Sequence, residues 1–257
     1  MLHQDSFLVD FESRGCVLVE DVLSEELVRK CRAGLEKAID AEVRYHGTTD
    51  YSDYGMVQCC AMYGRVFIDL FDDQVLMEPF RMVLGDGCIV YAYTSSSLPP
   101  LGANFAARIH VDCPRLIPGY ISNMGLIILL DDFFEENGAT WFLPGSQAQR
   151  EVPGEEEFFS KSERLIAKAG SAWYFNTRLW HSAGGNKTPR WRHALTINMC
   201  RPFMKQRHDI PRLLGEVDLQ GVSDSALQKL GFFAQPPTSL DEYYAPPEKR
   251  TFRQPYE

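Results

Sequence analysis

Arg108-Ile109-His110-Val111-Asp112 is the stretch on which the reading of this chain turns. Written as a strand, it sends His110 and Asp112 to one side and Val111 to the other, because successive side chains of an extended strand alternate. Two metal-ligating side chains thereby share a face, and a third ligand has to come from a different strand. The chain offers one in Trp180-His181-Ser182-Ala183-Gly184-Gly185-Asn186, where His181 stands between an aromatic strand and a Gly-Gly-Asn turn.

Outward from that stretch the pattern is one of many short strands. Residues 88–97, 106–112, 123–130, 139–143, 171–175 and 192–199 have strand character, and Leu126-Ile127-Ile128-Leu129-Leu130 reads as a strand buried on both faces. Glu136-Asn137-Gly138 reads as a hairpin turn, and Pro144-Gly145-Ser146 closes the strand after it. Toward the N-terminus, residues 15–20 form a strand. A helix follows from Ser24 to about Ala41, with Leu27, Cys31, Leu35 and Ile39 on one face and Glu25 and Glu26 in its first turn. A second helix covers residues 74–84 and stops at Gly85-Asp86-Gly87. Between the helices, residues 45–64 lack a period and are rich in Tyr, Gly, Asp and Met, which is expected of a lid. The fold class is therefore mainly β with flanking helices, arranged as a double-stranded β-helix (a closed, cupin-like jelly-roll barrel). The chain reads as one domain over residues 1–257, with the N-terminal strand, helices and lid in 1–90, the jelly-roll core in 91–205 and a C-terminal extension in 206–257. The Pro- and charge-rich part from 235 onward is expected to lie over the surface.

Composition narrows the function classes. The formal net charge is -9 and the 26 Lys and Arg are scattered, so a polyanionic partner or membrane surface is disfavoured and a small-molecule substrate favoured. The seven cysteines form neither an even set nor a C-x-x-C pair, which reads as reduced thiols in a cytoplasmic protein. No segment approaches the roughly 18 uninterrupted apolar residues of a membrane span, and the start of the chain has no secretory pattern. A monomer or homodimer is expected.

Two histidines and one carboxylate on a face leave coordination positions open, the arrangement of non-heme Fe(II) enzymes that bind a co-substrate and O2. By itself H-x-D is weak evidence; the third ligand strengthens it. Of the other histidines, His3 lies near the terminus, His208 among polar residues beyond the last strand, and His193 on a parity that points outward, leaving His181 as the third ligand. A second feature is Arg192, eleven residues after His181. A 2-oxoacid chelating iron through its 1-carboxylate and keto oxygen leaves its other carboxylate inside the protein, where only a paired, always-charged group makes burial tolerable. Arg190 shares the parity, but Arg192 opens the alternating run that follows and lies deeper.

With these residues in view, the chain resembles the phytanoyl-CoA dioxygenase family of Fe(II)/2-oxoglutarate oxygenases. The resemblance runs from Gly15-Cys-Val-Leu-Val-Glu-Asp21 to Leu227-Gln-Lys-Leu-Gly-Phe232. It rests on His110-Val-Asp112, on Leu129-Leu-Asp-Asp132 with Glu136-Asn-Gly-Ala-Thr-Trp-Phe-Leu-Pro-Gly-Ser146, and on His181 to Arg192 with Asn186-Lys-Thr188 between. It implies that His110, Asp112 and His181 bind iron, that Arg192 holds the distal carboxylate of 2-oxoglutarate and that Thr140 hydrogen-bonds it. Three positions depart from the family pattern: Gln147 where a histidine is frequent, Ala183 where a small hydroxyl residue is frequent, and Ala107 where a polar residue is frequent. They are expected to alter the surroundings of the co-substrate and leave the metal ligands untouched.

Halogenating relatives replace the carboxylate ligand with a small residue to admit chloride, and Asp112 closes that route. The implied chemistry is oxidative decarboxylation of 2-oxoglutarate to succinate and CO2, coupled to hydroxylation of an unactivated C–H bond in a small metabolite or natural-product intermediate. Desaturation, cyclisation and epimerisation share the hydrogen abstraction, and a catalytically silent metal- or ligand-binding jelly roll or a cupin-like metalloenzyme without 2-oxoglutarate are the other classes the residues allow. Tyr91 and Tyr93, on one face of their strand, and Tyr51 and Tyr54 of the lid are the candidate substrate contacts, against the ordinary alternative that strand aromatics fill a core.

Overall fold

The computed structural model describes residues 4–215 and 217–250. His3, and the part of the C-terminal extension beyond 250, lie outside the described residues. The chain opens with a helix, α1 (Gln4–Arg14), which the sequence reading does not anticipate, then β1 (Cys16–Val19) and the long helix α2 (Glu25–His46). The Ser24 hydroxyl accepts from the Leu27 N–H at the start of α2, and Gly47, in the left-handed region at φ 70°, ends it one turn beyond the expected stop. Helices α3 (Arg65–Asp69) and α4 (Gln74–Leu84) precede β2 (Ile89–Ser95) and β3 (Asn123–Leu129). After them come β4 (Trp141–Phe142), α5 (Glu155–Lys161), β5 (Glu163–Arg164), β6 (Ala172–Asn176), β7 (His181–Ser182) and β8 (Ala194–Cys200). Three short helices complete the described chain: α6 (Ile210–Leu213), α7 (Asp224–Leu230) and α8 (Leu240–Tyr243).

The strands form two antiparallel sheets, one of five strands in the order β1-β6-β3-β8-β2 and one of three in the order β5-β4-β7. The expected hairpin at Glu136-Asn137-Gly138 is corrected by this topology. That turn, with Gly138 at φ 82°, carries the chain from β3 in the large sheet to β4 in the small one, so the flanking strands are not partners. Two antiparallel sheets with flanking helices are the arrangement expected of a jelly roll; among the described residues isolated bridges at His110–His181 and Leu98–Arg192 join segments beside the sheets, and no continuous ladder closes them into a barrel.

Strand parity divides the core. Met124, Leu126 and Ile128 of β3, Ala172 and Tyr174 of β6 and Leu195, Ile197 and Met199 of β8 face the helical layer, where Phe7 and Phe11 of α1, Cys31 and Leu35 of α2 and Phe80 of α4 cover them. Ile127 and Leu129, Trp173 and Phe175, and Ala194 point the other way, between the sheets, and meet Phe133, Phe142 and Leu179. Burial on both faces explains why Leu126 to Leu130 is uninterruptedly apolar. Ile210, Leu214, Ala226 and Leu230 belong to the same core as α2 and α4, so α6 and α7 of the C-terminal extension are part of the packed body. Only the stretch from about 235 to 250 is largely exposed.

One glycine on β3 bears on the site. Gly125 pairs in register with Phe175 and with Asn198, and a Cβ added there would clash with the Phe175 ring at 2.3–2.8 Å. The end of the ring thus occupies the space that a side chain at 125 would take.

Candidate metal and co-substrate site

The expected strand over 106–112 is a short turn of 3₁₀ helix, Phe105–Ala107, followed by extended chain that pairs only at His110. Backbone bonds in both directions between His110 and His181 (2.9 and 3.0 Å) clamp the first segment to β7, and the Asp112 N–H donates to the Thr177 carbonyl. The alternation survives the loss of regular strand. One nitrogen or oxygen from each of His110, Asp112 and His181 lies within 4.8 Å of the others, with His110 Nε2 at 3.6 Å and His181 Nε2 at 3.8 Å from Asp112 Oδ1.

The tautomers follow from the hydrogen bonds. His110 Nδ1 is 2.8 Å from the Arg108 carbonyl and His181 Nδ1 is 2.9 Å from the Leu179 carbonyl. A carbonyl only accepts, so each Nδ1 carries the proton and each Nε2 presents its lone pair to the shared space. This is the second-sphere arrangement that orients ligating histidines. Burial, then the neighbouring His181, lowers the His110 pKa to about 4 against the opposing pull of Asp112, so the ring is neutral and able to ligate at neutral pH.

The triad lines one wall of a cavity of about 270 Å³. Arg192 lines its floor, 1% exposed, with Nη1 donating to the Gly138 carbonyl (2.9 Å), Nη2 to the Ser96 carbonyl (2.6 Å) and the guanidinium over the Phe133 ring at 4.2 Å. Burial lowers its pKa to about 9, leaving it charged at neutral pH. Thr140 lines the same space; Arg190 is exposed outside it. Four buried polar atoms of cavity-lining residues have no partner: Arg192 Nε, Ser96 Oγ, Thr196 Oγ1 and Gln58 Oε1. Three of them, Arg192 Nε and the Ser96 and Thr196 hydroxyls, are donors and fit a ligand carrying a carboxylate, since leaving a buried donor unmet costs about 1–3 kcal/mol.

Several expectations change. Tyr93 is core: it is 1% exposed, its hydroxyl donates to the Phe67 carbonyl and its ring packs edge-on to Phe71. A β-bulge between Val90 and Ala92 breaks the alternation at Tyr91, so Tyr91 reaches the cavity and Tyr93 does not. Tyr51 stacks on His46 at 4.1 Å and Tyr54 packs edge-on to Trp191; from the expected lid it is Asp53, Met56 and Gln58 that line the cavity. His193 is turned away from the cavity but buried at 3%, stacked on Trp191 with Nδ1 3.1 Å from Ser97 Oγ, rather than facing outward. Of the three departures, Gln147 lies away from the site, donating to the Glu12 carbonyl, and Ala183 does line the cavity. Ala107 contributes a carbonyl that accepts from Ser182 Oγ, so that hydroxyl is used in the scaffold. Thr196 and Asn198 were legible but unread: they share Arg192's parity along β8.

This fold and this triad are those of a non-heme oxygenase, and comparison with known proteins specifies the group. The phytanoyl-CoA dioxygenase model matches residues 11–194, and the chain belongs to that family. Uncharacterized protein Rv1501 of Mycobacterium tuberculosis is 30% identical over 250 residues, covering 93% of this chain and 90% of that one. Dioxygenase ALT11 of Alternaria alternata is 24% identical over 254 residues, covering 91% and 83%. Among solved structures, EctD from S. alaskensis in its apoform superposes with a TM-score of 0.64 at 19% identity, over 79% of this chain and 78% of that one. The non-heme monooxygenase ThoJ in its apo form gives 0.64 at 16%, over 78% and 79%. The protein is an oxygenase, and the family together with the His-Asp-His cluster supports iron as its metal. Among the described residues no helix is long and apolar enough to cross a membrane.

Proposed function

We propose that the protein hydroxylates an unactivated C–H bond of a small metabolite, using Fe(II), 2-oxoglutarate and O2 and releasing succinate and CO2. The observation that carries the reading is the joint geometry of one cavity: two imidazoles locked with Nε2 inward beside Asp112, and a buried arginine with an unmet Nε on the same floor.

His110, Asp112 and His181 hold the metal. Arg192 pairs with the distal carboxylate of the co-substrate, its plane fixed by the Gly138 and Ser96 carbonyls so that little ordering cost falls on binding. Thr140, just before β4, and Thr196 of β8 offer hydroxyls to the same carboxylate. Phe175, edge-on to His181 at 5.2 Å, and Ile127 form a dry wall beside the ligands. When bound, iron and 2-oxoglutarate supply the two-electron oxidation of the substrate by O2.

Adding Fe(II) and then 2-oxoglutarate under nitrogen tests the reading. Chelation of the ketoacid gives a weak visible charge-transfer absorption, and admission of air then yields succinate. Iron binding with neither absorption nor succinate would leave a metalloprotein that does not use 2-oxoglutarate.

A further inference from the structure

Once the triad and Arg192 have their roles, three charged residues lining the cavity are still without one: Asp53, Arg108 and Arg207. The two arginines reach it from opposite sides of the chain. Arg108 precedes His110 by two residues, and its guanidinium lies over the Phe105 ring, 3.4 Å from the centroid, which limits its freedom without neutralising it. The Phe105 N–H donates to the Ser52 carbonyl, tying this turn to the segment that carries Asp53. Arg207 follows β8, and its backbone N–H donates to the Tyr91 carbonyl beside the bulge. Both side chains are exposed at the rim.

Among the described residues neither guanidinium has a hydrogen bond or an ion pair. Both are therefore free to pair with a ligand, unlike Arg14, Arg65 and Arg81, which pair with Glu163, Asp69 and Glu78. In a chain of net charge -9, two unpaired arginines at the edge of one cavity give that edge a charge opposite in sign to the chain as a whole. The charge of the loaded site sharpens this, on the reading proposed above. A ferrous ion and Arg192 balance Asp112 and the two carboxylates of 2-oxoglutarate, so the floor is neutral. The rim is left with two guanidinium groups against one carboxylate, a surplus of positive charge facing the place where the substrate enters.

We propose that the substrate is an organic anion whose carboxylate or phosphate group is bound at the rim by Arg108 and Arg207, with its carbon skeleton directed toward the metal. A planar guanidinium donates paired N–H groups to either oxyanion.

The experiment uses the protein loaded anaerobically with Fe(II) and saturating 2-oxoglutarate, so that Arg192 is occupied. Inorganic phosphate, propionate and, as the neutral control, propionamide are titrated while binding is followed by ligand-detected NMR. Wild type is compared with R108Q, R207Q, the double variant, and R190Q as an arginine outside the cavity. At least one anion should bind and propionamide should not. The double variant should weaken that binding by about tenfold or more, as loss of charge-assisted hydrogen bonds requires, and R190Q should leave it unchanged. Phosphate binding alone identifies a phosphate ester, propionate binding alone a carboxylic acid, and both an unselective oxyanion rim; each supports the proposal. Anions that bind no better than propionamide, or equally well to the double variant, would overturn it. Absence of the charge-transfer absorption would strike the 2-oxoglutarate reading instead, and the same titration on the metal-free protein would still decide the role of the rim.

Discussion

The floor and the rim of the cavity are built differently. On the floor, His181 and Arg192 are 6% and 1% exposed, and each polar group that fixes their orientation is a backbone carbonyl of a paired or tightly turned segment. At the rim, Arg108 and Arg207 project from irregular chain into solvent with no polar partner. A pre-ordered floor suits ligands that never change, a metal and a common co-substrate, because their binding then pays little conformational entropy. A rim of flexible, exposed charge can be altered without disturbing the floor, and there specificity for the varying ligand belongs.

Removing a metal ligand should have the largest effect. His110→Ala, Asp112→Ala and His181→Ala should each abolish succinate release while circular dichroism stays native, because among the described residues the candidate site offers three ligand side chains. Full activity in any one would remove that residue from the triad. Next comes Arg192→Ala, which strands a buried carboxylate without its partner. A loss of about 3–5 kcal/mol corresponds to a 2-oxoglutarate requirement raised by roughly two to three and a half orders of magnitude, whereas the exposed Arg190→Ala should shift it little. Equal effects would erase the distinction between floor and surface.

The floor also rests on a neutral buried histidine behind it. Burial lowers the His193 pKa to about 4, with Arg32 and Arg192 adding to the effect and Asp131 opposing it. Glu36 approaches Nε2 at 3.9 Å from α2. The folded-state pKa lies below the unfolded one, so the unfolded chain binds more protons between about pH 6.5 and 4. Stability is therefore present above that window and lost as pH falls through it, by up to about 3 kcal/mol. His193→Gln should flatten this acid limb in denaturant titrations at about pH 7 and about pH 4.5. An unchanged limb would assign the acid sensitivity elsewhere. Thr140→Val, which removes one hydroxyl from the floor, should cost about 1 kcal/mol in 2-oxoglutarate affinity. Smallest of all, Tyr51→Ala should leave the ratio of succinate to hydroxylated product unchanged, because its ring lies on His46 and not in the cavity. A raised ratio would restore Tyr51 to the substrate's surroundings.

What could be read in advance divides along the same line. The i, i+2 spacing of His110 and Asp112 survives although the segment is hardly a strand, since the alternation needs only extended backbone at three residues. Arg192 was legible because it shares the parity of the alternating run that becomes β8 two residues later, and the helix boundaries at Ser24 and Gly85 because capping is local chemistry. Tyr93 was misplaced because a single bulged residue at 91 resets the parity of a strand, and no local pattern announces it. α1 was missed because its burial, with Phe7 packed edge-on to Tyr174 of β6, arises only when distant chain packs beside it. The rim depended on tertiary approach as well: nothing in the spacing of Arg108 and Arg207 announces that they share a cavity.

Gly125 carries a consequence for inheritance. It binds nothing, lies on a strand without a ligand and makes no polar contact through a side chain, yet any substitution there must displace the Phe175 ring that stands edge-on to His181. In a screen for loss-of-function alleles, residue 125 should therefore emerge among the metal ligands. Its revertants should map to position 175, where a smaller side chain returns the room that the new Cβ takes, so that the two residues would vary together as a genetic unit.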